Sequence, residues 1–235
     1  MQLDSGREPR VTLIEPDVAL TDFGLAAECA LFAGWLVWRG STASPLGRWF
    51  VVLFVALGTG ALLGGITHGF LPDAGSDAAR IVWNATLIAI GVAACASWAV
   101  GAHVLFAEPM ARWFLTAAAL LFALNVAVVL YVSQSFLVAI AFYAPAIVFA
   151  LIAFVLAYRA SGAAVLLSAI AGIVLSLIAA VIQQTHTGIV ALGLSHNALY
   201  HLVQAAGLLL IFLTARGLGA CRPQLHDVHV SRETN

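Results

Sequence analysis

Residues 136–158 read FLVAIAFYAPAIVFALIAFVLAY, an unbroken apolar run without a single charge. A helix that crosses a bilayer needs about 20 mainly apolar residues, and this run meets that length. Six more runs of the same kind lie at 22–39, 49–71, 81–106, 113–132, 163–184 and 196–215. They are continuously apolar and rich in Ala and Leu, where a membrane β-barrel strand would alternate. Inside lipid each backbone group must find its partner within the protein, and for such runs that means helix. The expectation is an all-α integral membrane protein, a bundle of seven transmembrane helices with short loops. Residues 1–21 would form a short tail, 22–215 the membrane domain and 216–235 a polar tail. That last tail holds His226, Asp227 and His229, which read as an exposed segment.

Composition points the same way. Of 235 residues, 63% are hydrophobic and 9% charged, and the mean hydropathy is +1.03. A soluble domain carries roughly 25% charge, so a soluble enzyme and a disordered chain are excluded. A nucleic-acid binder needs a basic stripe, whereas the formal net charge is -1. All ten cations are Arg, which excludes Schiff bases on lysine and a P-loop. Cys29, Cys95 and Cys221 are scattered, without a CxxC pair, and read as inert thiols.

Arginine placement sets the expected orientation. Arg39, Arg48, Arg112, Arg159, Arg216, Arg222 and Arg232 fall on one side; Arg7, Arg10 and Arg80 fall on the other. The N-terminus is therefore expected outside and the C-terminus in the cytoplasm. No apolar segment precedes a cleavage site, so no signal peptide is read. Abundant Ala, with Arg but no Lys, suggests a bacterial inner (plasma) membrane.

Polar side chains inside hydrocarbon are costly, so their depth is informative. With this orientation Glu28, His68, Asn84, Asn125, Tyr143, Gln183, Gln184, Asn197, His201 and Gln204 all fall in the outer half. The pattern predicts one polar cavity there, lined by Asn125, Tyr143, Gln183, Gln184 and Gln204 among others. Gly60, Gly64 and His68 form one stripe that lets a neighbouring helix approach. Asn197 and His201, four residues apart, share a face. Ser195 is the expected N-cap of the last helix.

Catalytic zinc takes about three protein ligands and a water, whose pKa it lowers to about 7. His68, His201 and one of His196 or His186 would supply three nitrogens. These positions resemble the CREST superfamily, which includes alkaline ceramidases and the progestin and adiponectin receptors. The likeness rests on seven spans with the N-terminus outside, a His ending the second span, and a polar pair early in the seventh. The stretch Asn197-Ala198-Leu199-Tyr200-His201 is similar to the ceramidase HxxxH, with Asn in place of the first His. Gly64 stands where the family has Ser, and Asn84 where it has Asp.

The resemblance implies a seven-helix fold and a zinc-dependent hydrolase of a lipid amide or ester in the outer half of the bilayer. His68, His196 and His201 would hold the metal, Asn84 and Asn197 would orient water or the scissile carbonyl, and Glu28 would carry the proton. The replacements of acid and His by Asn favour an alternative, a non-catalytic sensor, receptor or transporter-like protein. It would bind a membrane lipid or small amphipathic ligand in the same cavity. A third reading is a haem b protein with His68 and His201 as axial ligands.

Overall fold

The structure, a computed structural model, describes residues 13–220 apart from 74, 190 and 192. The expected C-terminal tail beyond residue 220, with Cys221 and the His226, Asp227 and His229 group, lies outside the described residues. Seven α-helices follow in order: α1 (Pro16–Trp38), α2 (Pro45–Phe70), α3 (Asp77–Leu105), α4 (Glu108–Tyr131), α5 (Phe136–Ser161), α6 (Val165–Gln184) and α7 (His196–Ala220). Each is long and apolar enough to cross a membrane. A short 3-10 turn, Ser41–Ala43, separates α1 from α2. Among the described residues there is no β-strand, only an isolated bridge between Ile189 and Leu194.

Four helices begin earlier than their apolar runs. Pro16 and Pro45 occupy the first turns of α1 and α2, where proline loses no hydrogen bond and its fixed φ suits the helix. The Ser44 and Ser76 hydroxyls cap α2 and α3, accepting from the amides of Gly47 and Ala79. These are the polar start signals of helices, and a hydropathy window passes over them. The expected tail 1–21 is corrected accordingly: residues 16–21 are the first turns of α1. Residues 216–220, placed in the other tail, continue α7.

The helices alternate in direction. The backbone amides of Ile14 and Glu15 donate to the carbonyls of Gly69 and His68, joining the start of α1 to the end of α2. At that same end the Trp83 indole of α3 donates to the Gln134 carbonyl, just before α5 (2.8 Å). The Ser195 amide, just before α7, donates to Asp17 Oδ2 at the start of α1 (3.1 Å). An odd number of alternating helices brings α1 and α7 side by side in parallel. The packing order α1–α2–α3–α5–α6–α7–α1 closes a ring of six. Helix α4 stands outside it, packed on α3 and lightly on α5.

The half of the ring away from the α1 N-terminus is filled by aromatic rings. Phe32 of α1 and Phe212 of α7 stack with centroids 4.3 Å apart. Phe54 of α2 meets Phe32 edge-on, and Trp35 meets Phe212 edge-on. Close approach elsewhere uses glycine. A Cβ on Gly172 would lie 2.5 Å from the Gly207 carbonyl oxygen, so α6 and α7 cross at van der Waals distance only because neither has a side chain there.

Candidate functional site

The half of the ring toward the α1 N-terminus is hollow. A cavity of about 290 Å³ lies there, at the lower edge of the roughly 300–1,000 Å³ of small-molecule sites. All six ring helices line it and α4 does not. Its wall is mainly apolar and aromatic, and it continues toward a further space of about 20 Å³ that shares Tyr143, Ile147, Ser176 and Leu208.

The most constrained polar group in the wall is Asp22. Helix α1 buries the stripe Val18, Ala19, Asp22, Leu25, Cys29, Ala33 and Leu36, the i, i+3, i+4 spacing of a core-facing side. Asp22 occupies one position of this otherwise apolar stripe, and its side chain is 3% exposed. Gly64 of α2 makes room: a Cβ there would sit 3.1 Å from Asp22 Oδ2 and 3.3 Å from Oδ1. Gly60, Gly64 and His68 all line the cavity from one face of α2.

Asp22 Oδ1 lies 3.1 Å from His201 Nε2. The other ring nitrogen, His201 Nδ1, lies 3.3 Å from Thr21 Oγ1. That hydroxyl also lies 2.9 Å from the carbonyl oxygens of Asp17 and Val18, to which it donates. A hydroxyl has one hydrogen. Thr21 directs it at the backbone, and its oxygen faces His201 Nδ1. Asp22 Oδ2 is buried and has no hydrogen-bond partner in the protein.

Nearer the end of the bundle His68 Nδ1 meets Glu15 Oε2 at 2.9 Å, half-exposed at the mouth. Asn197 and His201 line the cavity from α7, together with Gln204. Gln204 Nε2 donates to Ser176 Oγ of α6 (3.2 Å), whose own hydroxyl donates to the Gly172 carbonyl. Tyr143 and Gln183 line it from α5 and α6, and Gln183 Oε1 is buried without a partner. The Ser195 hydroxyl accepts from the Ala198 amide at the start of α7.

Other expected site residues fall elsewhere. Asn125 is buried, but on α4 outside the ring, in the space left by Gly91 of α3. Gln184 is exposed, one residue past the inward-facing Gln183. Glu28 and Asn84 are absent from the cavity wall, and Glu28 Oε2 and Asn84 Oδ1 are each buried without a partner. His196 does not join His68 and His201: its Nε2 meets His186 Nδ1 at 3.1 Å, with the rings edge to face. The cause is its place at the first turn of α7, five residues and a different helical face from His201. Among the described residues no three His, Cys, Asp or Glu side chains are grouped to hold a metal ion. The two ring nitrogens of His201 face protein oxygens, Asp22 Oδ1 and Thr21 Oγ1.

Asp22 and Tyr200 are cavity residues that sequence reading passed over. Asp22 is the first residue of the apolar run 22–39, where hydropathy alone places a charge at the membrane surface. The Glu15-Pro16-Asp17 start signal moves the helix start back and carries Asp22 into the bundle.

Fold and site together define the class: an all-helical protein of seven apolar, membrane-length helices, six of them enclosing a cavity with a buried acid–histidine pair. Residues 18–220 match a family of unknown function, DUF6962, and the chain belongs to that family. No curated protein and no solved structure matches it.

Proposed function

We propose that this chain is an integral membrane protein that binds a small amphipathic ligand inside its helix bundle, as a receptor, sensor or transporter does, without transforming it. The observation that carries this reading is the cavity of about 290 Å³ with Asp22 buried in its wall and one carboxyl oxygen unpartnered. Ionisable groups inside a membrane are expensive and mark functional paths. A purely structural bundle would fill this space with leucine.

Arginine distribution supports a direction for the cavity. Among the described residues Arg39, Arg48, Arg112, Arg159 and Arg216 lie at the closed, aromatic end and Arg80 at the cavity end. By the positive-inside rule the cavity then faces out of the cell. Trp38 and Trp113, 77% and 74% exposed at the arginine-bearing end, suit an interfacial belt. Composition rich in Ala, with Arg but no Lys, supports a bacterial plasma membrane. A zinc-dependent lipid hydrolase would draw on His68 and His201 in the same cavity. It finds less support, because its third ligand, His196, is turned to His186.

Thermal unfolding of the purified full chain against a panel of small amphipathic compounds tests the proposal. A ligand at about a hundred times its Kd stabilises by about 2.7 kcal/mol, a shift of several degrees. Ala180 lines the cavity, so Ala180→Phe fills it and is expected to abolish the shift. A variant that responds as the wild type does would place binding elsewhere and overturn the reading.

A further inference from the structure

The fully buried, unpartnered side-chain atoms in the cavity wall are of one kind. Among the described residues the buried, unpartnered side-chain atoms of its lining residues are Asp22 Oδ2 and Gln183 Oε1, both oxygens. The unpartnered donor, Asn125 Nδ2, sits on α4 outside the ring. A buried acceptor left unmade costs the full desolvation of the group, so the ligand that completes this site must bring a donor.

Charge and aromatic lining decide which donor. Trp83, Phe136, Tyr143 and Tyr200 line the cavity, and none of its lining residues is an arginine or a lysine. Ring faces attract cations within about 6 Å of their centres. A hydrogen bond from an ammonium to a carboxylate is roughly twice as strong as one between neutral groups. A carboxylate ligand would bring more acceptors and like charge. The geometry points to a small hydrophobic organic cation, a primary or secondary amine, as the ligand. Its ammonium donates to Asp22 Oδ2 beside Gly64, Gln183 Oε1 offers a second acceptor, and its hydrocarbon part occupies the apolar remainder. This rests on the cavity-binding reading above.

Isothermal titration calorimetry on the detergent-purified full chain tests it with three probes of one shape: phenethylamine, phenethyl alcohol and phenylacetate. The amine is expected to bind about ten- to a hundredfold tighter than the alcohol, the worth of one charged hydrogen bond, and phenylacetate weakest. Asp22→Asn should remove that preference. Gly64→Ala, which sets a methyl against both Asp22 oxygens without changing any charge, should weaken the amine and spare the alcohol; it serves if Asp22→Asn does not fold. Equal binding of amine and alcohol would overturn the cation assignment and leave the cavity reading standing. Failure of all three probes to bind would overturn both.

Discussion

One ring of helices holds two unlike halves. Around Phe32, Phe54, Phe212 and Trp35 the helices are joined by interlocking aromatic rings and the interior is full. Toward the other end the same helices set Asp22, Gly64, Ser176 and Gln204 among apolar and aromatic residues, and the interior opens into the cavity. Helix α2 shows the contrast within one element. Phe50 and Phe54 are buried at its start, while Gly60 and Gly64 border the cavity further on. The difference teaches that the packed half fixes the helices in place, so that the hollow half need not collapse. Stability and binding are assigned to opposite ends of the bundle.

The largest effect expected from this division is in the full half. Phe212→Ala removes the ring that touches Phe32, Phe54 and Trp35, and should destabilise by about 3–5 kcal/mol. Ile140→Ala, beside an existing void, should cost distinctly less than the 2–5 kcal/mol typical of such truncations, about 1–2 kcal/mol, because fewer contacts are lost. Unfolding of the two variants in the same detergent measures both. Equal losses would erase the comparison and mean that the cavity is filled by side chains in the membrane.

A smaller effect should appear where the two halves meet. Ser176→Ala leaves Gln204 Nε2 buried without its acceptor, a loss of about 1–3 kcal/mol. Gln204→Leu should cost less, because the donor leaves together with its need, and the double variant should resemble it. Coupling in that cycle isolates the bond. Additive losses would mean that the 3.2 Å contact contributes nothing.

The two halves were unequally legible in the sequence. Seven continuous apolar runs make seven helices because lipid leaves the backbone no other choice. The clustering of His68, Tyr143, Gln183, Asn197, His201 and Gln204 toward one end also follows from order along the chain. What order cannot supply is the ring. Helix α4 is as apolar as its neighbours, and nothing in its composition says that it stands outside, so Asn125 was assigned to a wall it does not reach. Asp22 was hidden by a boundary: a window that weighs hydropathy starts the helix where charges stop, whereas proline and an acidic first turn start it earlier. The adjacent residues Gln183 and Gln184 differ in facing, which depends on the helix rotation fixed by packing.

Asn125 offers a test outside the ring. Both its amide atoms are buried without partners against Gly91. Replacing an unsatisfied polar group by an apolar one of similar shape is nearly neutral or stabilising, so Asn125→Leu should change stability by about +1 kcal/mol or less and leave ligand binding intact. A loss above about 2 kcal/mol would mean that leucine overpacks the space against Gly91 and is not an equivalent shape there.

The smallest expected effect separates the cavity from the histidines around it. His186 and His196 face each other at the rim, and His186 holds a left-handed backbone (φ 53°). His196 is half-buried with its ring against exposed His186, and a substitution at the rim, away from the core, changes stability by less than about 1 kcal/mol. His196→Ala should therefore change stability little and leave amine binding at the wild-type level, whereas His201→Ala should weaken the amine by removing the ring that holds Asp22 Oδ1 in place. If the metal set were His68, His196 and His201, the two variants would behave alike, and each would strip zinc from protein purified without chelators. Elemental analysis beside calorimetry on the same preparations distinguishes the two outcomes. Parallel loss would require His196 to turn away from His186 and into the ring.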